Sequence, residues 1–400
     1  TKPIIYSLIA GIFLGIYLLT WLGALLFVFL FSVYFIIQFI IDHLRHKSTD
    51  YLCLIGVIVF FVALMIFLSI SPGRLYQASL VIALLIPLVL YGVSWLMTLK
   101  EIKPAYYPLA LVGLGLVGLA IFYMVNPSLL SSMLGRFSIF FPGGVALTTM
   151  EMQPLLFPRG DFSLALAWGN FTTGFFLSFI SLGMLIYLAI KRGNAEKNLL
   201  VVWSLLILLA TLGQRRFASY FAVNVTLLTG YLSVLIYYVI RFIIDYFRSG
   251  RTDYMSWQIL EFVGFKELMA RPAELPTRAE RKRARLKRGW EGRFHPTIVH
   301  VSVSLWVIVV FFLVFFPNIA PAIATAKQAR FAPSDAWCSS LSWLKENTPD
   351  PFDNPDFYYE LHQSPSSGEP YNYPESAYGV MAWWDYGYWI TRIAHRLPKW

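Results

Sequence analysis

Residues 3–41 read PIIYSLIAGIFLGIYLLTWLGALLFVFLFSVYFIIQFII, an apolar run of 39 residues. A helix needs about 20 apolar residues to cross the hydrocarbon core of a bilayer, so this run is too long for one span. The segment Thr20-Trp21-Leu22-Gly23 interrupts the run and is expected to form a tight turn between two spans. The stretch therefore predicts a pair of helices embedded in a membrane.

The rest of the 400-residue chain has the same apolar character. Hydrophobic residues make up 58% of it, charged residues only 14%, and the mean hydropathy is +0.61. A soluble globular domain carries about 25% charged residues, so this composition excludes a soluble fold and indicates an integral membrane protein. Nine segments are predicted spans: 3–20, 24–41, 51–70, 77–97, 107–125, 172–191, 198–213, 222–245 and 298–316.

The loops between these spans differ in charge. Lysine and arginine concentrate in four of them, at 43–50, 100–103, 191–197 and 241–296. Cytoplasmic loops of membrane proteins are enriched in these residues, which predicts that all four loops lie in the cytoplasm. The basic run at 281–288 then needs no nucleic-acid partner to explain it.

The opposite side is predicted to receive a long loop, 126–171. Pro142-Gly143-Gly144 and Pro158-Arg159-Gly160 favour irregular backbone within it. Loops longer than about 15 residues are usually functional or disordered, so this one is more than a connector.

The tail after the last span is polar and is also predicted to be external. Its apolar spacing from Asp335 predicts one amphipathic helix that ends at Asn347-Thr348-Pro349. We divide the chain into a transmembrane domain, 1–318, with a basic cytoplasmic loop at 246–296, and the start of an external domain, 319–400.

The first chemical motif is Thr148-Thr149-Met150-Glu151 in the long external loop. Glu151 offers a carboxylate to a metal ion or to a polar substrate. Taken alone, this residue is better explained as a solvated loop acid, because surface carboxylates are common.

The second motif is Gln214-Arg215-Arg216-Phe217 on the predicted outer face. One interpretation is that the two long basic side chains snorkel to the membrane surface. The other is an anion clamp, because a guanidinium donates paired hydrogen bonds to phosphate oxygens. Charge at membrane depth is usually functional, so we favour the clamp.

The third motif is Trp383-Trp384-Asp385-Tyr386-Gly387. Tryptophans near a membrane are typical of the aromatic belt, but a belt does not require the Asp-Tyr-Gly that follows. Two indoles form a rigid apolar wall with N–H donors, and a carboxylate accepts the proton of a hydroxyl group.

In this order, the three motifs resemble those of the catalytic subunit of oligosaccharyltransferase, of the archaeal and bacterial single-subunit type. WWDYG is the signature of that family, and Arg216-Phe217 resembles its Arg-Phe pair. The loop motif resembles the family's Thr-Ile-x-Glu, with Thr149 in place of isoleucine. Residues 11–23 and 343–349 are also similar to the family, so the resemblance covers nearly the whole chain.

The resemblance implies an all-α polytopic fold of glycosyltransferase C-type architecture, with about nine transmembrane helices and the start of a mixed α/β external domain. It implies transfer of an oligosaccharide from a polyprenyl-(pyro)phosphate carrier to the Asn amide of Asn-x-Ser/Thr, with Mg or Mn as cofactor. The implied site consists of a catalytic and metal-binding carboxylate, two donor-binding arginines and three acceptor-binding residues: Glu151; Arg216 and then Arg215; Trp383, Trp384 and Asp385.

The implied partners are a lipid-linked oligosaccharide, an acceptor polypeptide and the membrane, with no nucleic acid and no obligate protein partner. The active site is expected on the extracytoplasmic side of the cell membrane. Family members have more spans, so the chain is expected to be a piece that begins near the fifth span and is inactive alone.

Two alternatives remain open. Another glycosyltransferase that uses polyprenyl-phosphate sugars would share the architecture but lack WWDYG. A transporter would place ionisable residues inside its spans and contain inverted repeats. The spans carry almost no charge and no visible repeat, which counts against transport.

Overall fold

The computed structural model describes residues 2–70, 73–144, 147, 149–158, 160–192, 194–249, 296–327, 333–352, 354, 356–359, 373 and 375–399. The chain divides into two units, Thr1–Ala320 and Pro321–Trp400, and each is treated by itself. In the first unit the helices are α1 Lys2–Thr20, α2 Leu25–Leu44, α3 Asp50–Leu68, α4 Arg74–Leu99, α5 Tyr107–Val125, α6 Pro127–Gly135, α7 Ala165–Phe171, α8 Thr173–Arg192, α9 Ala195–Gly213, α10 Ala218–Ser249 and α11 Pro296–Val310. A π-helical turn, Phe311–Phe315, leads from α11 into α12, Phe316–Lys327.

Nine helices of the described ranges are long and apolar enough to cross a membrane. They confirm the predicted all-α polytopic fold, and the protein is a multi-pass membrane protein. The turn between the first two spans is also confirmed, because α1 ends at Thr20 and a 3-10 turn, Leu22–Ala24, precedes α2. The seventh span is longer than its predicted range, 198–213, because the Asn194 side chain accepts a hydrogen bond from Glu196 N and starts α9 at Ala195.

Two apolar clusters hold the spans together. The first cluster contains residues of α1, α2, α3 and α4, and within it α1 approaches α3 closely at two glycines. A Cβ on Gly11 would lie 2.8 Å from Val62 Cβ, and one on Gly15 would lie 2.9 Å from Ile66 Cβ. The second cluster joins α2, α8, α9 and α10 and positions the ends of α9 and α10.

A buried polar network lies at the end of the bundle where α2 meets α3 and α9. Asp42 is 1% exposed and accepts hydrogen bonds from Gln38 and from the Tyr51 hydroxyl. Asn198 donates to Gln38 at 2.7 Å, and Arg45 donates to the Ile190 carbonyl at 2.5 Å. These contacts place the loops around 43–50 and 191–197 at the same end of the bundle.

Loop 126–171 contains regular structure between and beside its proline and glycine clusters. It contains α6, α7 and 3-10 turns at Arg136–Ile139 and Met150–Met152. α6 forms because Asn126 caps it by accepting from Leu129 N, and because Pro127 suits the first helical position. Pro142 and Gly143 have no regular secondary structure, as predicted. At the other end of the unit α10 reaches Ser249, and residues 250–295 of the predicted basic loop lie outside the described residues.

The second unit contains the predicted amphipathic helix as α13, Asp335–Asn347, which confirms its end at Asn347. Two strands, β1 Gly379–Met381 and β2 Leu397–Lys399, pair in parallel with Val380 opposite Pro398. Between them lie a 3-10 turn, Trp384–Tyr386, the short α14, Gly387–Trp389, and a π-helical turn, Ile390–Ala394.

Candidate functional site

In the first unit, backbone hydrogen bonds fasten loop 126–171 to the turn between α9 and α10. Leu155 N donates to Leu212 O at 3.2 Å, and Arg215 N donates to Gln153 O at 2.9 Å. The Gln214 side chain donates to Ser138 O at 3.2 Å. The loop segment that carries Glu151 is therefore held beside the turn that carries the two arginines.

Close packing fixes the start of this turn. A Cβ on Gly213 would lie 2.6 Å from the Phe140 carbonyl oxygen, which is closer than atoms in contact can come. Thr211 Oγ1 donates to Phe217 O at 3.2 Å from the last turn of α9. Glycine is thus required where the loop backbone passes α9.

Glu151 lies in the middle of the 3-10 turn Met150–Met152, and its side chain is exposed. Met152 N donates to Thr149 O at 3.0 Å and closes the turn. Thr148, the first residue of the predicted motif, lies outside the described residues. The carboxylate is two positions from Gln153, whose carbonyl pairs with Arg215.

The two arginines occupy a 3-10 turn, Arg215–Phe217, that leads directly into α10. Phe217 is 2% exposed and anchors the turn in the apolar cluster. The Arg216 guanidinium lies 5.1 Å from the centre of the Phe217 ring and is exposed, whereas Arg215 is half-buried. The turn therefore presents positive charge at the N-terminal end of α10, where the helix dipole adds to it.

Sequence analysis missed an aromatic group beside these arginines. Tyr220 stacks on Trp21 with ring centres 5.5 Å apart and planes at 15°. The Tyr17 hydroxyl donates to the Tyr220 hydroxyl at 3.3 Å. The predicted topology already placed Trp21 and residues 214–219 at one membrane face, but it contained no information that the rings touch.

In the second unit, the five residues of WWDYG form a compact turn. The Trp383 indole N–H donates to Asp385 Oδ2 at 3.2 Å, and both side chains are exposed, Trp383 by 57%. The backbone of Trp384 lies in the 3-10 turn. Gly387 is buried, and the Tyr386 ring lies 4.6 Å from the ring of Trp337 in α13. One face of the motif thus packs on the helix while Trp383 and Asp385 point to solvent.

Arg396, which sequence analysis also missed, supports this turn through buried hydrogen bonds. It is 1% exposed and donates to Lys345 O at 3.0 Å, to Thr348 Oγ1 at 2.8 Å and to His395 O at 2.7 Å. These acceptors lie at the C-terminal end of α13 and after the π-helical turn. The guanidinium therefore joins the helix to the segment that follows WWDYG.

His395 lies beside this arginine in the left-handed region, at φ 52°. Its ring stacks on Tyr358 at 5.0 Å, and its Nε2 lies 3.1 Å from the Tyr359 hydroxyl. Burial, followed by the nearby positive charge of Lys345, lowers the pKa of His395 below its ordinary value. The surroundings of the histidine thus favour its neutral form.

Glu151 does not form a metal centre by itself. Among the described residues there is no group of three or more His, Cys, Asp or Glu side chains that could hold a metal ion. A hard divalent cation requires about six oxygen ligands. The described residues therefore do not fit a complete Mg or Mn site, and no chemical step is routed through one.

The structure brings the predicted site residues together in two sets. Glu151 shares one assembly with Arg215 and Arg216 in the first unit, through the paired loop and turn. Trp383 and Asp385 share one turn in the second unit. Each set presents exposed polar groups on a backbone fixed by buried neighbours, which is the arrangement that a binding site requires.

Comparison with known proteins gives related sequences and one shared fold. Residues 334–400 match the AglB core domain. Over 297 residues, 73% of the chain, the sequence is 28% identical to dolichyl-phosphooligosaccharide-protein glycotransferase 3 of Archaeoglobus fulgidus. Over 65 residues, 16% of the chain and 6% of the relative, it is 40% identical to dolichyl-monophosphooligosaccharide–protein glycotransferase AglB of Haloferax volcanii.

Solved structures of the Archaeoglobus fulgidus oligosaccharyltransferase share the fold. The complex with an inhibitory peptide and a dolichol-phosphate has a TM-score of 0.73 at 24% identity and covers 99% of this chain and 42% of that one. The form tethered to a peptide with the NVT sequon has a TM-score of 0.69 at 23% identity and covers 99% of this chain and 42% of that one. The complex with Zn and sulfate has a TM-score of 0.62 at 20% identity and covers 100% of this chain and 40% of that one.

The chain spans 29% of the length of the first relative and less than half of each of these solved chains. The chain is homologous to the archaeal AglB oligosaccharyltransferases.

Proposed function

We propose that this chain serves protein N-glycosylation, as the part of an oligosaccharyltransferase that holds the donor headgroup and reads the acceptor sequon. The reaction transfers an oligosaccharide from a polyprenyl-(pyro)phosphate carrier to the side-chain amide of Asn in Asn-x-Ser/Thr. The bond from the anomeric carbon to the phosphate oxygen breaks, and the carrier (pyro)phosphate leaves with the bonding electron pair. A bond from the same carbon to the amide nitrogen forms, and the amide proton is released to water.

The observation that carries the proposal is the pairing of the external loop with the α9–α10 turn. Hydrogen bonds from Leu155 to Leu212 and from Arg215 to Gln153 bring a carboxylate-bearing segment beside an arginine-bearing one. A leaving phosphate needs positive charge, and an acceptor amide needs a nearby acid. This arrangement offers both kinds of group on one face of the membrane unit.

Arg216 binds the (pyro)phosphate of the donor in this proposal, with Arg215 as the second contact. Arg216 is exposed and the nearby buried Phe217 fixes its backbone. A fixed guanidinium donates two parallel hydrogen bonds to phosphate oxygens and stabilises the negative charge that develops there as the glycosidic bond breaks.

Trp383, Trp384 and Asp385 bind the acceptor. The indole of Trp383 donates to one oxygen of Asp385, which orients the carboxylate and leaves the other oxygen available. That oxygen accepts the hydroxyl proton of the Ser or Thr two positions after the acceptor Asn. A site built to bond a hydroxyl group rejects peptides that lack it.

Glu151 orients the acceptor amide in this proposal and would be one ligand of a divalent cation. When bound, such a cation would supply positive charge near the leaving phosphate. The Zn and sulfate complex of the solved relative supports a metal in that protein. In this chain the remaining ligands must come from residues other than the described ones. The proposal also places the activity on the extracytoplasmic side of the membrane.

The proposed acceptor site is tested by measuring the binding of two peptides to the full-length protein and to its variants. We expect wild type to bind an Asn-x-Thr peptide at least about tenfold more tightly than Asn-x-Ala, because a hydrogen bond to a charged group contributes roughly 1.5–3 kcal/mol. Asp385→Ala should abolish this preference, and Trp383→Phe, which keeps a ring but loses the N–H, should reduce it.

Asp356→Ala is the matched control, because Asp356 is an exposed acid of the same unit. It makes the same change in charge and should leave the preference intact. A preference for threonine that survives Asp385→Ala would remove the sequon-reading role from WWDYG.

A further inference from the structure

Tyr220 lies next to the proposed phosphate clamp, and its ring is fixed on several sides. It is the third residue of α10 and lies four positions after Arg216. The ring stacks on Trp21, and the ring of Phe217 lies 6.1 Å away. Since Phe217 also supports the Arg216 guanidinium, one aromatic group fixes both side chains.

The hydroxyl of Tyr220 has a proton to donate. A phenol carries one proton and accepts hydrogen bonds through its oxygen. Here the oxygen accepts from the Tyr17 hydroxyl at 3.3 Å, so the Tyr220 proton points away from Tyr17. Among the contacts of the described residues, this proton has no acceptor. The side chain is only half-buried, so a ligand at Arg216 can reach it.

We propose that Tyr220 is a further donor-binding residue, whose hydroxyl donates a hydrogen bond to a phosphate oxygen of the lipid-linked donor. Tyr17 is a positioning residue that orients this hydroxyl by donating to its oxygen. The inference rests on the proposed function, because it needs a phosphate at Arg216. The chemistry recognised is a phosphate monoester or diester, which a lipid or a free phosphate could supply.

The proposed chain of hydrogen bonds, from Tyr17 to Tyr220 and from Tyr220 to phosphate, explains why two tyrosines face each other at the end of α1 and the start of α10. If the rings served only packing, the hydroxyl groups would contribute nothing that phenylalanine lacks. A hydrogen bond to a phosphate oxygen is charge-assisted and about twice as strong as one between neutral groups. The donating tyrosine should therefore matter more for a charged headgroup than for an uncharged one.

The test is ligand binding to the full-length protein in nanodiscs, with three probes: a fluorescent polyprenyl phosphate, the matching polyprenol, and inorganic phosphate as competitor. Tyr220→Phe should weaken polyprenyl phosphate binding about five- to tenfold, since the lost bond has a charged acceptor. Tyr17→Phe should weaken it about two- to threefold, because that hydroxyl acts through Tyr220. Neither change should alter polyprenol binding.

Competition by inorganic phosphate separates the sources of the phosphate. Weak competition that is lost in Tyr220→Phe supports recognition of the headgroup itself. Trp21→Phe is the packing control, because it keeps a ring against Tyr220 and should affect both lipids equally.

The outcomes separate the two levels of the proposal. If wild type does not prefer polyprenyl phosphate to polyprenol, or if Arg216→Ala keeps that preference, the proposed donor site is wrong. If Arg216→Ala loses the preference while Tyr220→Phe keeps it, the donor site stands and the tyrosine inference is overturned. Should Tyr220→Phe fail to fold, the selectivity of Tyr17→Phe decides in the same way.

Discussion

Arginine lies both in the turn between α9 and α10 and in the segment after WWDYG, but the guanidinium groups have different surroundings. Arg216 is exposed, and its guanidinium rests against a phenylalanine ring. Arg396 is 1% exposed and donates to the carbonyls of Lys345, Ala394 and His395. The guanidinium of Arg216 is exposed to solvent, whereas that of Arg396 donates its hydrogen bonds to the backbone.

The difference follows from what surrounds each charge. The carbonyls at the end of α13 lack helical partners, so a buried guanidinium there satisfies groups that burial would otherwise leave unpaired. At the α9–α10 turn, the loop and turn satisfy each other's backbone through Gln153 and Leu212. The backbone of this turn therefore does not depend on the guanidinium groups of Arg215 and Arg216 for these hydrogen bonds, which is consistent with the proposed binding role.

The largest effect that we predict is the loss of Arg396. Arg396→Ala leaves several carbonyls without a donor and should destabilise the second unit by about 3 kcal/mol or more. Hydrogen exchange of residues 335–347 and 379–399 in the full-length protein measures it. Arg392→Ala, which removes a half-buried guanidinium 5.0 Å from the Tyr359 ring, should cost no more than about 1 kcal/mol. Equal losses would mean that Arg396 is not the anchor.

Gly213→Ala should disturb the presentation of Arg216 without touching it. The added Cβ meets the Phe140 carbonyl at 2.6 Å, so the loop must move, at a cost of about 1–3 kcal/mol. We expect a lower unfolding temperature and weaker binding of polyprenyl phosphate. Gly183→Ala is the control, because a Cβ there meets nothing within 4 Å. Wild-type binding by Gly213→Ala would show that the turn tolerates displacement.

Arg216→Lys tests whether donor binding requires the paired N–H donors of a guanidinium or only a positive charge. Lysine keeps the charge but loses the planar pair of donors, so donor affinity should fall about tenfold while stability stays unchanged. Arg215→Lys, at the half-buried neighbour, should have the smaller effect. Isothermal binding to polyprenyl phosphate measures both. If the Arg216 lysine variant binds like wild type, a point charge is sufficient.

The smallest effect that we predict is a pH dependence of stability caused by His395, which lies beside the buried Arg396. Because the pKa of His395 is lowered in the folded state, the unfolded chain binds more protons as pH falls through the ordinary histidine range. The stability of the second unit should therefore fall below about pH 6.5, the ordinary histidine pKa, and rise to a plateau above it.

His395→Asn removes the titrating group and tolerates the positive φ of this position, so it should flatten the dependence. Hydrogen exchange of residues 379–399 at several pH values is the measurement. A dependence that persists in His395→Asn assigns the titration to another group.

The transmembrane fold was largely predictable because a bilayer imposes length and composition on each span. The apolar runs and the turn at Trp21 predicted every span of the described ranges, and most ends differ by a few residues. The last span was predicted too short, because its helix continues past residue 316 to Lys327. The order within loop 126–171 was not predicted, since it depends on the Asn126 cap and on bonds to the distant Leu212. Such contacts have no local sequence signal.

The candidate site divides in the same way. Arg216 and Asp385 were visible as charges placed against the trend of their surroundings. Tyr220 and Arg396 were not, because their importance arises from partners about 50 to 200 positions away in the sequence, such as Tyr17 and Thr348. Composition and motif order identify the exposed groups, while the buried partners that fix them appear only in three dimensions.

Transfer itself tests the account most directly. The full-length protein, given a lipid-linked oligosaccharide and divalent cation, should convert an Asn-x-Thr peptide to a glycopeptide with the mass of the added glycan. A Gln-x-Thr peptide should stay unmodified, and Arg216→Ala and Asp385→Ala should each slow transfer at least about tenfold, as expected for lost bonds to charged groups. Transfer at the wild-type rate in both variants, or modification of the glutamine peptide, would contradict the proposed function.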